Sequence, residues 1–212
     1  MNWLSVLPLT VVMVAGPQII GAIFLAASRE AKRSSLAYIG GAGFAVTIGL
    51  TVWYFVFHAI RGAGDEQNKS DGNRHLIDWI VLAVLLALLV MVFARRKRSE
   101  PPKWMGKLEE ASPRFAFRLG FLLFIAMPSD EATMLAVAGS LAGHDKPWWH
   151  LLPFLLLTLL LLALPLLALL AFGQRAVAAL PKIRDWANKH AWIVSEAVIL
   201  IFVALVVADL LK

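Results

Sequence analysis

Cysteine is absent from the chain. That excludes disulfides, thiolate metal sites and thiol redox chemistry. Charge is scarce as well. Asp, Glu, Lys and Arg make up 16% of residues, where a soluble domain carries about 25%. No nucleophile elbow, P-loop or metalloprotease motif is found, so no enzymatic activity is expected. Histidines His58, His144 and His150 show no ligand spacing, and neither a metal nor a cofactor is expected.

What is present is apolar. Hydrophobic residues are 60% of the 212, and the mean hydropathy is +0.75. A helix crosses the ~30 Å hydrocarbon core with ~20 residues. Six stretches qualify, at roughly 3–28, 35–58, 76–94, 115–143, 148–172 and 191–211. The expected fold class is an all-α integral membrane protein of six transmembrane helices. The net charge of +6 does not indicate nucleic acid, because the basic residues fall in the gaps between apolar runs. Membrane lipids, anionic ones first, are the expected partners. Association with a second copy of the chain is left open.

The distribution of basic residues sets an orientation. Arg29, Lys32 and Arg33 follow the first span. Arg95, Arg96, Lys97, Arg98, Lys103, Lys107, Arg114 and Arg118 follow the third, and Arg175, Lys182, Arg184 and Lys189 follow the fifth. The opposite side has only Arg61, Lys69, Arg74, Lys146 and Lys212. The positive-inside rule then places the 95–114 loop in the cytoplasm and both termini outside a plasma (inner) membrane. Four consecutive charges, Arg95 to Arg98, are expected to fix topology and to hold anionic lipid head groups. Residues 60–75 read as a flexible external loop, and 176–190 as either a short amphipathic surface helix or a solvated linker.

Spans one and four are both long, and each holds a central proline. The first reads Gly16-Pro17-Gln18 and the fourth Met127-Pro128-Ser129-Asp130-Glu131. Proline lacks an N–H and clashes with the carbonyl four residues back, here Met13 and Phe124. Such breaks persist at membrane depth only where protein or trapped water supplies other partners. Small residues follow both breaks, FLAAS and LAVAGS. An Asn-basic-His triplet precedes the last span of each half, at Asn73-Arg74-His75 and Asn188-Lys189-His190, with Asp78 and Glu196 after them. Three spans is an odd number, so a duplicated half must be inverted. The expected organisation is a first repeat over 1–94, the basic loop 95–114 and a second repeat over 115–212. Interrupted helices in inverted repeats place transport sites near the midplane.

The candidate substrate or coupling residues are Pro17, Gln18, Pro128, Ser129, Asp130 and Glu131. Charges at membrane depth are costly and normally face a cavity or a partner. For Ser129, Asp130 and Glu131 two roles fit: capping a helix that restarts after Pro128, or relaying protons or cations. Gln18 stands alone at the first break, where free N–H groups suit an anionic head group. Arg118 snorkels to the interface or pairs with an acid such as Glu196. Asp78 is expected near the outer surface, solvated. The glycines Gly40, Gly41, Gly43 and Gly49 predict close packing of span two beside the broken helices. Span five, almost pure leucine, is expected to face lipid.

The segments AGPQIIGAIFLAASREAKRSSLAYIGGAG and MPSDEATMLAVAGSLAG, with the basic central loop between them, resemble the LysE-like superfamily of small exporters. Within it they resemble the GAP or Sap family of glycopeptidolipid- and sulfolipid-addressing proteins. The family often has Asn-Pro-Lys at the second break, where this chain has Met127-Pro128-Ser129, so the family's polar contact there is not carried over. The resemblance implies involvement in moving a lipid or glycolipid toward the outer face. Two other readings stand beside it: a proton- or cation-coupled exporter of a small solute, and a non-transporting scaffold whose basic loop docks a lipid-synthesis enzyme.

Overall fold

The computed structural model describes residues 6–62, 71–95 and 111–211. Within them the chain is helical, with no strand. The elements are α1 (Leu9–Val14), α2 (Pro17–Ala26), α3 (Ala31–Gly62), α4 (Asp71–Arg95), α5 (Pro113–Ala126), α6 (Pro128–Gly143), α7 (Leu152–Phe172) and α8 (Gln174–Leu210). A 3-10 turn at Trp148–Leu151 leads into α7. Both expected breaks are present. The first expected span is split between α1 and α2, and the fourth expected span between α5 and α6.

Among the described residues, three helices are long and apolar enough to cross a membrane: Ala31–Gly62, Leu76–Ala94 and Trp148–Phe172. The α5–α6 pair passes the same test as one span bent by 67°. The protein is therefore a multi-pass membrane protein. The first expected span is shorter in each part than the sequence suggests. Its helices have 6 and 10 residues, about 9 and 15 Å at 1.5 Å per residue, and neither alone spans the core. In the last, the apolar stretch is limited to Trp192–Ala208.

Several boundaries differ from expectation. Segment 176–190 is neither a separate surface helix nor a linker. It is the first part of α8, a helix of 37 residues that continues into the last apolar stretch. The loop expected at 60–75 is narrower, because α3 runs to Gly62 and α4 starts at Asp71. Both Asn-basic-His triplets consequently lie within helices. Arg96, Lys97 and Arg98 lie outside the described residues, and Arg95 ends α4.

The large side chains Phe44, Val52 and Phe55 of α3, and Leu156, Leu160 and Leu164 of α7, are exposed. So continuous an apolar surface suits hydrocarbon rather than water. α7 is not wholly lipid-facing, however. Phe154, Thr158, Leu162 and Leu166 form a buried stripe, and Thr158 returns its hydroxyl to the Phe154 carbonyl at 2.9 Å.

Packing centres on α3, which lies against α5 and α6. α7 in turn packs on α1 and α2, and α4 packs on α6 and α8. The glycine pattern of α3 accounts for the closest approach. A Cβ on Gly41 would collide with the Phe117 carbonyl of α5, and one on Gly120 with the Tyr38 carbonyl of α3. The two backbones thus touch through reciprocal glycines. Gly49 leaves room for the thioether of Met134 on α6.

Candidate functional site

Each break is built from a residue before proline in a non-helical conformation. Gly16 has φ 107° and ψ −140°, a region accessible in practice only to glycine. Met127 is extended at φ −82° and ψ 118°, as the residue before a proline prefers. Pro17 and Pro128 then open α2 and α6 as their first residues, where a missing N–H costs nothing.

The two breaks come together. α1 packs on α6 and α2 on α5. Gln18 Nε2 donates to Asp130 Oδ2 at 2.5 Å, and both residues are about 1% exposed. This hydrogen bond joins positions 112 residues apart. Tyr38, fully buried on α3, donates its hydroxyl to the Gln18 carbonyl at 2.9 Å. Gly21 makes room for that phenol, since a Cβ there would sit 3.3 Å from its oxygen. Next to Asp130, Glu131 accepts a hydrogen bond from the Trp53 indole N–H at 3.0 Å. α3 therefore holds both breaks, Tyr38 on the first and Trp53 on the second.

Asp130 and Glu131 stand in the first turn of α6, but not as hydrogen-bonded caps. No side-chain cap is made at the start of α6. The backbone N–H groups of Asp130 and Glu131 go to the Met127 carbonyl at 3.0 and 3.1 Å. Ser129 sends its hydroxyl toward Asp130 Oδ1 at 3.5 Å, and its carbonyl accepts from Thr133 at 2.8 Å. The carboxylates of Asp130 and Glu131 instead reach sideways to α2 and α3, while still sitting at the positive end of the α6 dipole.

The remaining candidates lie apart from this crossing. Arg118 is exposed on α5, as a snorkelling side chain would be. Glu196 is half-buried on α8. α5 packs on α3, and α8 on α4 and α1. Asp78 departs from its expected solvated position. It is 5% exposed and lies beside Gly143, at the end of α6. The turn of α4 that carries it packs on α6 instead of facing water.

Two residues of the site, Tyr38 and Trp53, are not singled out by the sequence, and Arg61 stands there only as one of the outer basic residues. The first two continue the stripe of Gly41, Ala45 and Gly49 on α3, and that spacing was the available signal. Arg61, at the end of α3, donates to the Ala142 carbonyl at 2.9 Å and pairs with Asp145 at 2.5 Å. Tyr54 donates to the Lys146 carbonyl at 3.0 Å, and Trp148 donates to Thr51 at 3.1 Å. Together they fasten the α6–α7 connection to α3.

The chain is thus a helical membrane protein whose two proline-broken helices cross at a buried amide–carboxyl pair. The family model described as "Sap, sulfolipid-1-addressing protein" matches residues 6–210, and the chain belongs to that family. No curated protein and no solved structure matches it.

Proposed function

We propose that this chain moves a lipid or glycolipid toward the outer face of the plasma membrane, as an exporter of the LysE-like kind. The crossing of its two broken helices would handle the polar head group. The observation that carries this reading is the buried hydrogen bond between Gln18 and Asp130, which joins the two breaks. A broken helix in a membrane needs local partners for its freed backbone groups, and a transport site near the midplane is the setting in which such breaks recur. The family's name points to the same class of cargo.

The proposal includes six crossings in two inverted three-helix repeats, with both termini outside. The packing pattern supports it. α3 lies on the broken pair α5–α6, and its counterpart α7 lies on the broken pair α1–α2. α4 packs against its own counterpart α8. This exchange of partners is what a pseudo-twofold axis in the membrane plane produces. Anionic lipids gather at the basic inner side, and their head groups reach the crossing from there.

The buried Asp130 also favours a second reading, a coupled exporter of a small polar solute. Reconstituted vesicles separate the two. With a fluorescent head-group-labelled glycolipid loaded in the inner leaflet, the first reading expects its transfer to the outer leaflet, and loss of that transfer in Asp130→Asn. If the labelled lipid stays inside while entrapped solutes leave, the solute exporter is the better account. If neither moves, the chain is a scaffold.

A further inference from the structure

The amide of Gln18 is half used. Its Nε2 is committed to Asp130, while its Oε1 is buried and has no hydrogen-bond partner. A buried acceptor left unpaired is costly. The arrangement is nevertheless the one an ionised Asp130 requires, because a carboxylate only accepts and must face the amide N–H.

The opposite protonation state uses the same two groups the other way round. A primary amide carries a donor and an acceptor on one planar group, and half a turn about its last torsion exchanges them. We propose that Asp130 and Gln18 form a proton-binding pair, in which a proton arriving on Asp130 Oδ2 reverses the hydrogen bond between the two broken helices. The carboxyl O–H then donates to Gln18 Oε1, which gains the partner it lacks. Nε2 turns toward the α1–α2 break beside Gly16. There the Met13 carbonyl has lost its helix donor to Pro17. The proton comes from water on one side of the membrane and returns to water on the other, and nothing else is consumed.

The Ser129 hydroxyl reaches Asp130 at Oδ1, 3.5 Å away, which leaves Oδ2 to the pair. α1 and α2 carry no titratable side chain. From α3, the Tyr38 hydroxyl is occupied by the Gln18 carbonyl. Glu131 follows Asp130 on α6 and is held by Trp53. Asp78 of α4 lies at the opposite end of α6, beside Gly143. Arg114 and Arg118 of α5 are exposed. A hydrogen bond to an ionised carboxylate is roughly twice as strong as a neutral one. Taking up the proton therefore loosens the link between the breaks, and losing it tightens the link. This inference rests on the reading of the crossing as a transport site only for its consequence in transport.

Infrared difference spectra test it, recorded on the full chain in lipid nanodiscs as pH is lowered. No substrate lipid is needed, so failure here and failure of lipid export are separate results. The expected result is a carboxylic-acid C=O band that grows with falling pH. It should be lost in Asp130→Asn, retained in Glu131→Gln, and shifted in Gln18→Met, which cannot accept the same hydrogen bond. Where Asp130→Asn does not fold, the shift in Gln18→Met decides. The proposal is overturned if no such band grows over the pH range in which far-UV circular dichroism reports a folded chain. It is equally overturned if the band is unmoved in Gln18→Met.

Discussion

Replacing Gly41 by alanine adds one methyl group where α3 meets α5. Beyond its collision with the Phe117 carbonyl oxygen, that methyl would lie 2.9 Å from the carbonyl carbon and 3.0 Å from the Phe121 nitrogen. All three are backbone atoms, so no side chain can swing aside, and α5 itself must move away. Overpacking of this kind costs roughly 1–3 kcal/mol, occasionally more. Alanine returns up to about 1 kcal/mol in helix propensity. With backbone on all three contacts the cost falls at the upper end of that range, and a net loss of up to about 2 kcal/mol follows. Gly49→Ala is the control. Its methyl would meet Met134 Sδ at 2.5 Å and Cε at 2.7 Å, the far end of a flexible side chain that can turn away, so the change should stay within about 1 kcal/mol. Unfolding in mixed detergent–SDS micelles measures both. Because α5 ends at the second break, Gly41→Ala should also weaken export. Equal stabilities for the two variants, or a worse loss in Gly49→Ala, would refute the packing argument.

Other outcomes follow from the same geometry. Trp53→Phe removes the donor to Glu131 and leaves a smaller aromatic ring on the half-buried position. It should cost about 1 kcal/mol in stability, read in the same micelles, and a loss well above that would mean Trp53 holds more than one carboxylate. Arg61→Ala loses both the Ala142 carbonyl and Asp145 and should destabilise more than Asp145→Ala, whose exposed pair is worth at most ~1 kcal/mol. The reverse order would exclude the backbone contact as the main tie. Single cysteines at Lys69 and Lys103, in a chain with none of its own, should label from opposite sides of intact cells. Labelling of both from outside would contradict the orientation. Neutralising Arg95, Arg96, Lys97 and Arg98 with glutamine should weaken anionic-lipid binding, each charge contributing about 1 kcal/mol near such a leaflet. Unchanged binding in correctly inserted protein would leave these residues a topological role alone.

The breaks were legible because proline at membrane depth has few uses. Gly16-Pro17 and Met127-Pro128 mark the ends of α1 and α5, and the glycines of α3 announced its close contact. What joins the breaks was not legible. Gln18 and Asp130 were each suspect on their own, but nothing local in a sequence pairs residues 112 positions apart. The acids of α6 have two credible roles in the sequence, capping and relaying, and their sideways partners on α2 and α3 have no local signal there. The continuity of α8 through 176–190 is hidden for a different reason. Charges there interrupt the apolar pattern without interrupting the helix, since Lys, Arg and Ala are good helix formers. Asp78 was assigned to solvent by depth alone, and burial by a neighbouring helix has no one-dimensional signal.

The central claim is that the two breaks form one transport site, and a double-mutant cycle on export tests it most directly. Transfer of the labelled glycolipid to the outer leaflet would be measured for the wild type, Gln18→Ala, Asp130→Asn and the double variant, each shown to be folded and inserted. Residues that act as a unit are grossly non-additive. The account predicts that each single substitution lowers the rate about as far as the double one does. Export at the wild-type rate in both single variants, or two losses that simply multiply in the double variant, would contradict it.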